Sequence, residues 1–248
     1  MTPQYVIPPN AKRAALDRCL QEMGINKNDF LINEATLRLE QALVAGKNTY
    51  EFNILSNPGS DRPLEQKLDR NDAFCVVAIG LGIAKQNTVA SPKQYGNFPV
   101  FTYPDPNYFV GNPAAVAVNE DVSLMCLFNG KFTLKVDTVE VIQDFNTYNL
   151  RYNPQAGYDA GAGTVPEWPE FGPTMGGRGL YLIEPQAILN GQQNNSVIIE
   201  LGDGDTGAIA GGVNAAGAAV DTTNVGIVFL HGFVFQNMAL SAPRYGTF

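Results

Sequence analysis

The sequence has few charged side chains: only 16% of its 248 residues are Asp, Glu, Lys or Arg, against about 25% in ordinary globular proteins. Basic residues are the scarcer sign, 16 against 24 acidic ones, so the formal net charge is −8. Such a chain lacks the clustered Lys and Arg that bind nucleic acid phosphates. With 45% hydrophobic residues, it is also too apolar for a disordered chain. We therefore expect a folded protein that packs against other protein.

Cysteine is scarce too, and the three residues Cys19, Cys75 and Cys126 cannot all pair within one chain. Cys75 and Cys126 lie in apolar runs, where cysteine packs as a small hydrophobic residue. The sequence therefore predicts three thiols in a reducing compartment. The first residues lack the basic and apolar regions of a secretory signal, and no apolar run reaches the ~18–20 residues of a membrane span. These features predict synthesis in a cytoplasm.

Histidine occurs once, at His231, inside the apolar run 227–233. No G-x-S-x-G motif accompanies it, so a Ser-His-Asp triad is not supported. One histidine also cannot supply the several His ligands of metal-dependent jelly-roll enzymes. The pattern predicts a structural histidine with a hydrogen-bond partner. We expect no catalytic activity and no cofactor.

The charges divide the chain into a neutral part and an acidic part. Residues 1–70 contain nine basic and nine acidic residues. Residues 71–248 contain 7 basic and 15 acidic residues and so carry the whole net charge of −8. The absence of direct nucleic acid binding is therefore predicted most firmly for the second part.

The neutral part begins with a helical pattern. Prolines open a helix over about 10–23, and Gly24 ends it. A second helix fits 34–45, between an Asn that can cap it and a Gly that can end it. Because these helices are too short to be stable alone, they must dock on something. We assign residues 1–48 to a helical N-terminal arm.

The rest of the chain, residues 49–248, has the pattern of an all-β domain. The strongest hairpin signal has arms at 122–128 and 131–141, joined by Asn129-Gly130. The first residues of the second arm alternate between apolar and polar, which is typical of a sheet with one buried face. Short strands without interleaved helices predict an antiparallel jelly-roll sandwich, with two small jelly rolls as the alternative. The remaining predicted strands are 50–55, 74–84, 98–103, 148–152, 180–189, 196–201 and 225–235.

Two long loops rich in small residues, 153–179 and 202–224, interrupt the strands. The second contains Gly202-Asp203-Gly204-Asp205-Thr206-Gly207, a literal G-x-G-x-x-G. A dinucleotide site is disfavoured because the two Asp residues would repel phosphates and the next segment is a poor helix. Asp203 and Asp205 are instead candidate calcium ligands, although the third ligand, Gly and closing Glu of a calcium loop are missing.

The first loop contains the only tryptophan, in the segment Pro166-Glu167-Trp168-Pro169-Glu170-Phe171. Exposed aromatic residues bind sugars, and they also anchor loops to a neighbouring subunit. The candidate residues for contacting a glycan or a subunit are Tyr158, Trp168 and Phe171. Glu167 and Glu170 leave open a glycosidase that uses two carboxylates.

Several strand-and-turn phrases resemble jelly-roll capsid proteins of tailless icosahedral phages that infect Bacteroidetes-type hosts. The nearest group is the lake Flavobacterium phages, and the resemblance covers residues 68–237. One departure is that capsid proteins of that group have two jelly rolls per chain, whereas the strand count here favours one. The similar phrases are Leu68-Asp69-Arg70-Asn71-Asp72-Ala73-Phe74, Ala78-Ile79-Gly80-Leu81, Phe101-Thr102-Tyr103-Pro104, Leu127-Phe128-Asn129-Gly130-Lys131-Phe132 and Phe229-Leu230-His231-Gly232-Phe233-Val234-Phe235-Gln236-Asn237.

The resemblance implies a virion structural protein, made in the host cytoplasm, that forms oligomers such as trimers within a larger shell. Its partners would be copies of itself and other virion proteins. The sandwich would not touch the genome, so an inner membrane or a basic partner would lie between, reached through the N-terminal arm. Lys12, Arg13 and Arg18 of the arm are the candidates for contact with something anionic. The alternative function is a glycan-binding module that uses loop 153–179.

Overall fold

The structure is a computed structural model that describes residues 9–24, 30–87, 95–96, 98–105, 108–109, 120–152, 179–202, 208–211 and 222–238. These residues form two helices, one 3-10 helix and nine strands. The helices are α1 (Pro9–Met23) and α2 (Glu120–Phe128), and the 3-10 helix is Thr147–Leu150. The strands are β1 (Ile32–Ala42), β2 (Thr49–Asn53), β3 (Ala73–Asn87), β4 (Val100–Phe101), β5 (Lys131–Val136), β6 (Val139–Asn146), β7 (Leu180–Asn190), β8 (Asn195–Glu200) and β9 (Thr222–Phe235).

The strands form two antiparallel sheets. Sheet A has the order β1-β9-β3, and the far edge of β3 pairs with β7 along residues 73–80 and with β4 at residues 83–84. Sheet B has the order β2-β8-β5-β6. All of these pairs are antiparallel. This arrangement confirms the predicted all-β antiparallel sandwich. The described strands form one pair of sheets rather than the two separate sandwiches of the alternative.

The hydrophobic core lies between the sheets and follows the alternation of the strands. In β5, Phe132, Leu134 and Val136 are buried while Lys131 is exposed, as the sequence predicts. Every second side chain of a strand points to the same face of its sheet. The side chains on the inner faces of the two sheets pack together in this core. The largest fully buried residues of this core are Tyr50, Phe74, Phe109, Phe128, Phe132, Leu39, Leu43, Ile54, Leu68, Ile79 and Leu81.

Helix α1 covers the outer face of sheet A. It occupies the predicted position and is followed by Gly24, whose φ of 65° suits a residue without a Cβ. Its buried side chains recur at a helical spacing and pack on the outward residues of β3, β7 and β9. This second cluster comprises Ala15, Cys19, Leu20, Met23, Ala73, Cys75, Val77, Ile188, Phe233, Phe235 and Met238.

The predicted helix at 34–45 is wrong, because residues 32–42 form β1. The strand pairs with β9 along its whole length, from Ile32 opposite Phe235 to Ala42 opposite Val225. Its apolar residues alternate with polar ones, since Leu37 and Leu39 face the core while Arg38, between them, faces outward. Pairing with β9 overrides the helical spacing of Leu39 and Leu43. The helical part of segment 1–48, as described, is therefore α1, and β1 belongs to the sandwich.

The predicted strand at 122–128 is also wrong, because these residues belong to α2. The run is continuously apolar rather than alternating, and such a run does not distinguish a buried helix from a buried strand. Glu120 and Asp121 in the first turn favour the helix through its dipole. The observed hairpin joins β5 to β6 through Asp137-Thr138, where Asp137 has a φ of 50°.

Two further predictions need correction. The predicted strand at 148–152 is the 3-10 helix, which begins after Asn146, whose side chain accepts from the Tyr148 amide. The predicted three thiols are wrong as well, because Cys19 and Cys75 form a disulfide. A separation of 56 residues gives no sign of this pairing in the sequence. Cys126 is buried in α2, as predicted. The remaining strand predictions correspond to β2, β3, β4, β7, β8 and β9, with β4 pairing only at an edge of β3.

Candidate functional site

Four connections between strands meet at one end of the sandwich. They join β1 to β2, β3 to β5, β6 to β7 and β8 to β9, and the antiparallel order places all four at the same end. Backbone hydrogen bonds link them: Leu201 N donates to Asn48 O at 2.8 Å, and Gly202 N donates to Cys126 O at 2.9 Å. We call the described parts of these connections the loop end. It comprises residues 43–48, 95–96, 98–105, 108–109, 120–130, 147–152, 179, 201–202 and 208–211.

The opposite end of the sandwich has tighter connections. Asp137 N, in the β5–β6 turn, donates to Asn194 O at 2.7 Å, and Gly191 N donates to Asp72 O at 2.9 Å. The turns at 137–138 and 191–194 are therefore bound to each other and to the β2–β3 connection. The three longest connections, from β3 to β5, from β6 to β7 and from β8 to β9, all lie at the loop end.

The loop end carries most of the exposed apolar side chains. Among the described residues, five large hydrophobic side chains are exposed, and four of them lie here: Val44 (51%), Val100 (39%), Val122 (57%) and Tyr148 (42%). The fifth, Leu31 (61%), precedes β1 at the opposite end. Scattered exposed hydrophobic residues need no special cause, but their location at one end makes this end the candidate contact surface.

Two of these side chains are held by their local backbone. The Tyr50 hydroxyl donates to Val44 O at 3.0 Å and accepts from Val44 N at 3.0 Å, so the β1–β2 connection is fixed to the core. Burial raises the pKa of Tyr50. The ring of Tyr148 lies under the Arg151 guanidinium, with Cζ 4.8 Å from its centroid. Both apolar groups are thus presented in set positions.

Helix α2 and strand β4 support the other two. The amide of Asp121, next to Val122, donates to Phe109 O at 3.1 Å, and the opposite side of α2 is buried in the core. Val100 lies opposite Ala84 of β3. All four exposed side chains of the loop end therefore rest on residues that belong to the sandwich.

An aromatic cluster stands behind this surface. The Phe101 ring centroid lies 4.7 Å from that of Tyr108 and 5.4 Å from that of Phe109. The Tyr103 hydroxyl donates to Asp105 Oδ2 at 3.1 Å. Burial and the Asp105 carboxylate together raise the pKa of Tyr103 to about 12, so its phenol stays neutral at ordinary pH. The cluster is a rigid apolar support rather than an acid–base centre.

A buried polar cluster lies beneath the loop end, on the inner face of sheet A. Glu120 Oε1 accepts from Asn224 Nδ2 at 2.7 Å and lies 3.6 Å from Lys85 Nζ. Burial raises the pKa of Glu120, and the contacts with Asn224 and Lys85 only partly oppose this. Burial and the nearby Glu120 carboxylate also raise the pKa of Tyr108. No sequence motif reveals this cluster, because its members come from three separate elements, β3, α2 and β9.

The binding residues that the sequence predicted lie outside the described residues. Tyr158, Trp168 and Phe171, with Glu167 and Glu170, belong to 153–178, and Asp203 and Asp205 belong to 203–207. The ends of the first segment are described and adjacent, because Tyr152 N donates to Thr102 O at 3.2 Å and a Cβ on Gly179 would lie 2.8 Å from Thr102 Cγ2. The described residues that flank both segments therefore lie at the loop end.

His231 has the predicted hydrogen-bond partner. It lies on the outer face of β9, where Nδ1 is 2.9 Å from Thr36 Oγ1 and Nε2 is 3.3 Å from Glu34 Oε1. Within the described ranges, no group of three or more His, Cys, Asp or Glu side chains is arranged to hold a metal ion. Of the helices that the structure describes, neither is long and apolar enough to cross a membrane.

Two clefts border the edge of β1 that faces away from β9, where Gln66 pairs with Arg38. Their volumes are about 320 and 460 Å³, and Gln66 and Thr36 line both of them. They lie away from the loop end and contain none of the residues that the sequence nominated for binding. We assign them no ligand.

The basic residues of the N-terminal segment are partly neutralised. Arg18 of α1 forms an ion pair with Glu184 of β7 on the outer face of sheet A, whereas Arg13 is exposed.

Comparison of the chain with protein-family models, with curated proteins and with solved structures gives no significant match. The fold and the loop end are therefore the observations from which a function is inferred.

Proposed function

We propose that the protein is a self-assembling structural subunit of a viral shell and that it contacts neighbouring copies through the loop end. The observation that carries this proposal is the collection of Val44, Val100, Val122 and Tyr148 at one end of the sandwich. Apolar side chains gathered on a rigid surface lose water when a partner covers them, and this stabilises association.

The other faces of the sandwich are less suited to this role. Helix α1 already covers apolar residues on the outer face of sheet A. The outer face of sheet B is polar: Thr49, Glu51, Lys131 and Glu200 are exposed there, and Lys131 pairs with Asp144 at 3.3 Å. Charged residues are depleted in the centres of protein interfaces. The loop end therefore remains as the apolar surface for contact between subunits.

The strand order supports a jelly-roll topology. Without the short β4, eight main strands remain, and along the chain the first pairs with the last, the second with the seventh, the third with the sixth and the fourth with the fifth. Jelly rolls contain eight strands in two sheets and occur in viral capsid proteins, lectins and cupins. A fold does not determine a function, but this order agrees with the capsid resemblance of residues 68–237.

The charge distribution favours partners other than nucleic acid. Residues 71–248 carry the whole net charge of −8, which would repel a genome. The proposal therefore assigns the sandwich to contacts with copies of itself and with other virion proteins. Arg13 on α1 stays exposed and is the described basic residue that an inner membrane or an anionic partner would meet.

Analytical ultracentrifugation and electron microscopy of the purified chain test the proposal. We expect oligomers, trimers among them, or shell-like particles. Val122→Asp and Tyr148→Asp should raise the dissociation constant about tenfold or more, because each removes an apolar contact and buries a charge. Leu31→Asp is the matched control: Leu31 is equally exposed but lies at the opposite end, so this variant should assemble normally. A wild-type chain that stays monomeric at high concentration would contradict the proposal, as would equal effects of all three variants.

The alternative prediction, a glycan-binding module, depends on Tyr158, Trp168 and Phe171, which lie outside the described residues. No described residue favours it over assembly. It stays a prediction that a glycan array and the fluorescence of Trp168 can test. A bound glycan with a shift of that fluorescence, in a chain that does not assemble, would favour the module over the shell subunit.

A further inference from the structure

Lys85, Glu120 and Asn224 meet in the interior of the sandwich, beneath the loop end. Lys85 of β3 and Asn224 of β9 are directly opposite each other in the antiparallel pairing, so their side chains leave the same face of sheet A. Glu120 reaches them from the first turn of α2. Its Oε1 atom lies 2.7 Å from Asn224 Nδ2 and 3.6 Å from Lys85 Nζ. The carboxylate thus contacts both the amine and the amide.

The surroundings of these three residues exclude most water. Glu120 and Asn224 are fully buried, and the Lys85 side chain is 16% exposed. The Lys85 Nζ atom lies 5.2 Å and 5.3 Å from the ring centroids of Tyr108 and Phe109, and it donates to Tyr108 O at 3.3 Å. Aromatic rings therefore cover the amine on the side that faces the loop end.

Two oxygen atoms of the cluster have no hydrogen-bond partner among the residues that the structure describes. They are Glu120 Oε2 and Asn224 Oδ1, and both are buried. Buried polar atoms are almost always paired, and each exception calls for an explanation. A proton on the Glu120 carboxyl would be a donor for such an oxygen, which indicates an arrangement suited to proton transfer.

We propose that Lys85 and Asn224 form an intramolecular isopeptide bond and that Glu120 carries the protons for this reaction. Glu120 contacts both an amine and a primary amide that project from paired residues of one sheet face, and these three groups are the reactants and the acid–base catalyst that amide exchange requires. The bond would form within one chain, so it does not depend on assembly of the protein.

The reaction balances without any other reactant. The Glu120 carboxylate takes a proton from the Lys85 ammonium group, and the neutral Nζ attacks Cγ of Asn224 to form the new C–N bond. As charge develops on Oδ1, the protonated Glu120 stabilises it by donating a hydrogen bond. Glu120 then passes the proton from the attacking nitrogen to Nδ2, the Cγ–Nδ2 bond breaks, and ammonia leaves. The product is one secondary amide, and Glu120 returns to its carboxylate form when its remaining proton passes to the released ammonia, which leaves as ammonium.

Burial assists both roles of Glu120. The desolvation that raises the pKa of this carboxyl makes it a better base toward the ammonium than an exposed carboxylate would be. It also favours the neutral pair of amine and acid over two buried charges. Because the aromatic rings limit access of water, hydrolysis of the Asn224 amide would compete poorly with attack by Lys85.

Intact mass spectrometry of the purified, reduced chain tests the proposal directly. Since ammonia is lost, the wild-type mass should lie about 17 Da below the mass of the sequence. Reduction removes the contribution of the Cys19–Cys75 disulfide. A protease digest should contain a branched peptide that joins Lys85 to Asn224.

Three variants assign the mass change to these residues. Lys85→Arg, Glu120→Gln and Asn224→Ala should each give the full sequence mass, allowing for the substitution. Lys131→Arg is the matched control, because Lys131 pairs with Asp144 on an exposed surface; it should keep the loss. A folded wild-type chain with the full mass would overturn the proposal whether or not the variants fold. A loss that persists in Lys85→Arg would overturn it too.

Discussion

Cys19 of α1 and Cys75 of β3 form a disulfide, with their Cα atoms 6.2 Å apart. Around this bond, Ala15, Leu20 and Met23 pack on the outer face of sheet A. The sequence predicts that the helices of the arm must dock on something, and α1 docks on its own sandwich and is bonded to it. A cross-link of this kind stabilises the folded chain mainly by restricting the unfolded one.

Removal of the disulfide should therefore lower the free energy of unfolding. For a separation of 56 residues, we expect Cys19→Ser/Cys75→Ser to lose about 2–4 kcal/mol. Denaturant unfolding of both proteins, with and without reductant, measures the change. The double variant should be insensitive to reductant. Equal stability of the wild type with and without reductant would contradict the bond.

Leu39 tests the position of β1 in the core. Its side chain is fully buried between the sheets, so Leu39→Ala should lower the free energy of unfolding by about 2–5 kcal/mol. The control is Leu31→Ala, at a residue that is 61% exposed, which should change it by less than about 0.5 kcal/mol. Denaturant unfolding measures both. If the two variants were equally stable, residues 32–42 would not lie in the core.

Gly232 lies where β9 passes a bulge in β3, and it has no room for a side chain. An added Cβ would lie 1.9 Å from the carbonyl oxygen of Cys75, and the pairing with β3 shifts between Val76 and Ala78. Gly232→Ala should therefore lower the free energy of unfolding by about 1–3 kcal/mol. Gly96→Ala, whose Cβ would be 4.0 Å from Leu64 Cδ1, should be close to neutral. Thermal unfolding of the two variants decides the comparison.

Much of the sandwich could be predicted from the sequence because the strand pattern is local. The alternation of Phe132, Leu134 and Val136 identified β5 and its buried face. Two of the three wrong elements, those at 34–45 and 122–128, arose where local patterns were ambiguous. Leu39 and Leu43 have a helical spacing but lie in a strand and just after it, and the apolar run 122–128 has no period that distinguishes helix from strand.

The candidate site could be predicted less well, because it depends on tertiary structure. The loop end brings together residues from four connections, and only the strand order reveals that these connections meet. The same holds for Lys85, Glu120 and Asn224, since no motif spans β3, α2 and β9. The sequence predicted binding residues in the two long loops. The described residues that flank these loops lie at the loop end.

The ion pair of Asp61 and Lys67 should make stability depend on pH. Burial raises the pKa of Asp61. Lys67, at 3.0 Å, and hydrogen bonds from Asn57 and Ser56 lower it by more than burial raises it, so the net pKa lies below the ordinary 3.8. The pair therefore stabilises the fold fully above pH ~4, and this contribution disappears as the pH falls through the lowered pKa of the folded state.

Asp61→Asn tests this pH dependence. The variant should be less stable than the wild type at pH 7, and the difference should shrink as the pH falls below ~4. Urea unfolding of both proteins across this range measures it. Asp144→Asn is the matched control, since Asp144 and Lys131 are more than half exposed and such pairs contribute only about 0–1 kcal/mol. A difference for Asp61→Asn that grows in acid would contradict the assignment.

Arg38 and Glu40 provide the sharpest electrostatic test. Glu40 is fully buried, its Oε1 lies 2.6 Å from Arg38 Nη2, and its Oε2 accepts from Gln86 Nε2 at 2.7 Å. Removal of one partner from a buried pair costs ~3–5 kcal/mol. Because Arg38 is 22% exposed, we expect Arg38→Met to lose slightly less, about 2–3 kcal/mol.

The double variant Arg38→Met/Glu40→Met separates a missing charge partner from a missing contact. It removes the buried carboxylate together with its partner, so it should recover most of the stability that Arg38→Met loses. Lys131→Met, in an exposed pair, should lose no more than about 1 kcal/mol. Denaturant unfolding of the wild type, Arg38→Met, Glu40→Met and the double variant gives the coupling energy. If the double variant were as unstable as the sum of the single variants, the cost would come from lost packing of the Arg38 side chain against Phe229, which lies 6.0 Å from its guanidinium, and not from the charge left on Glu40.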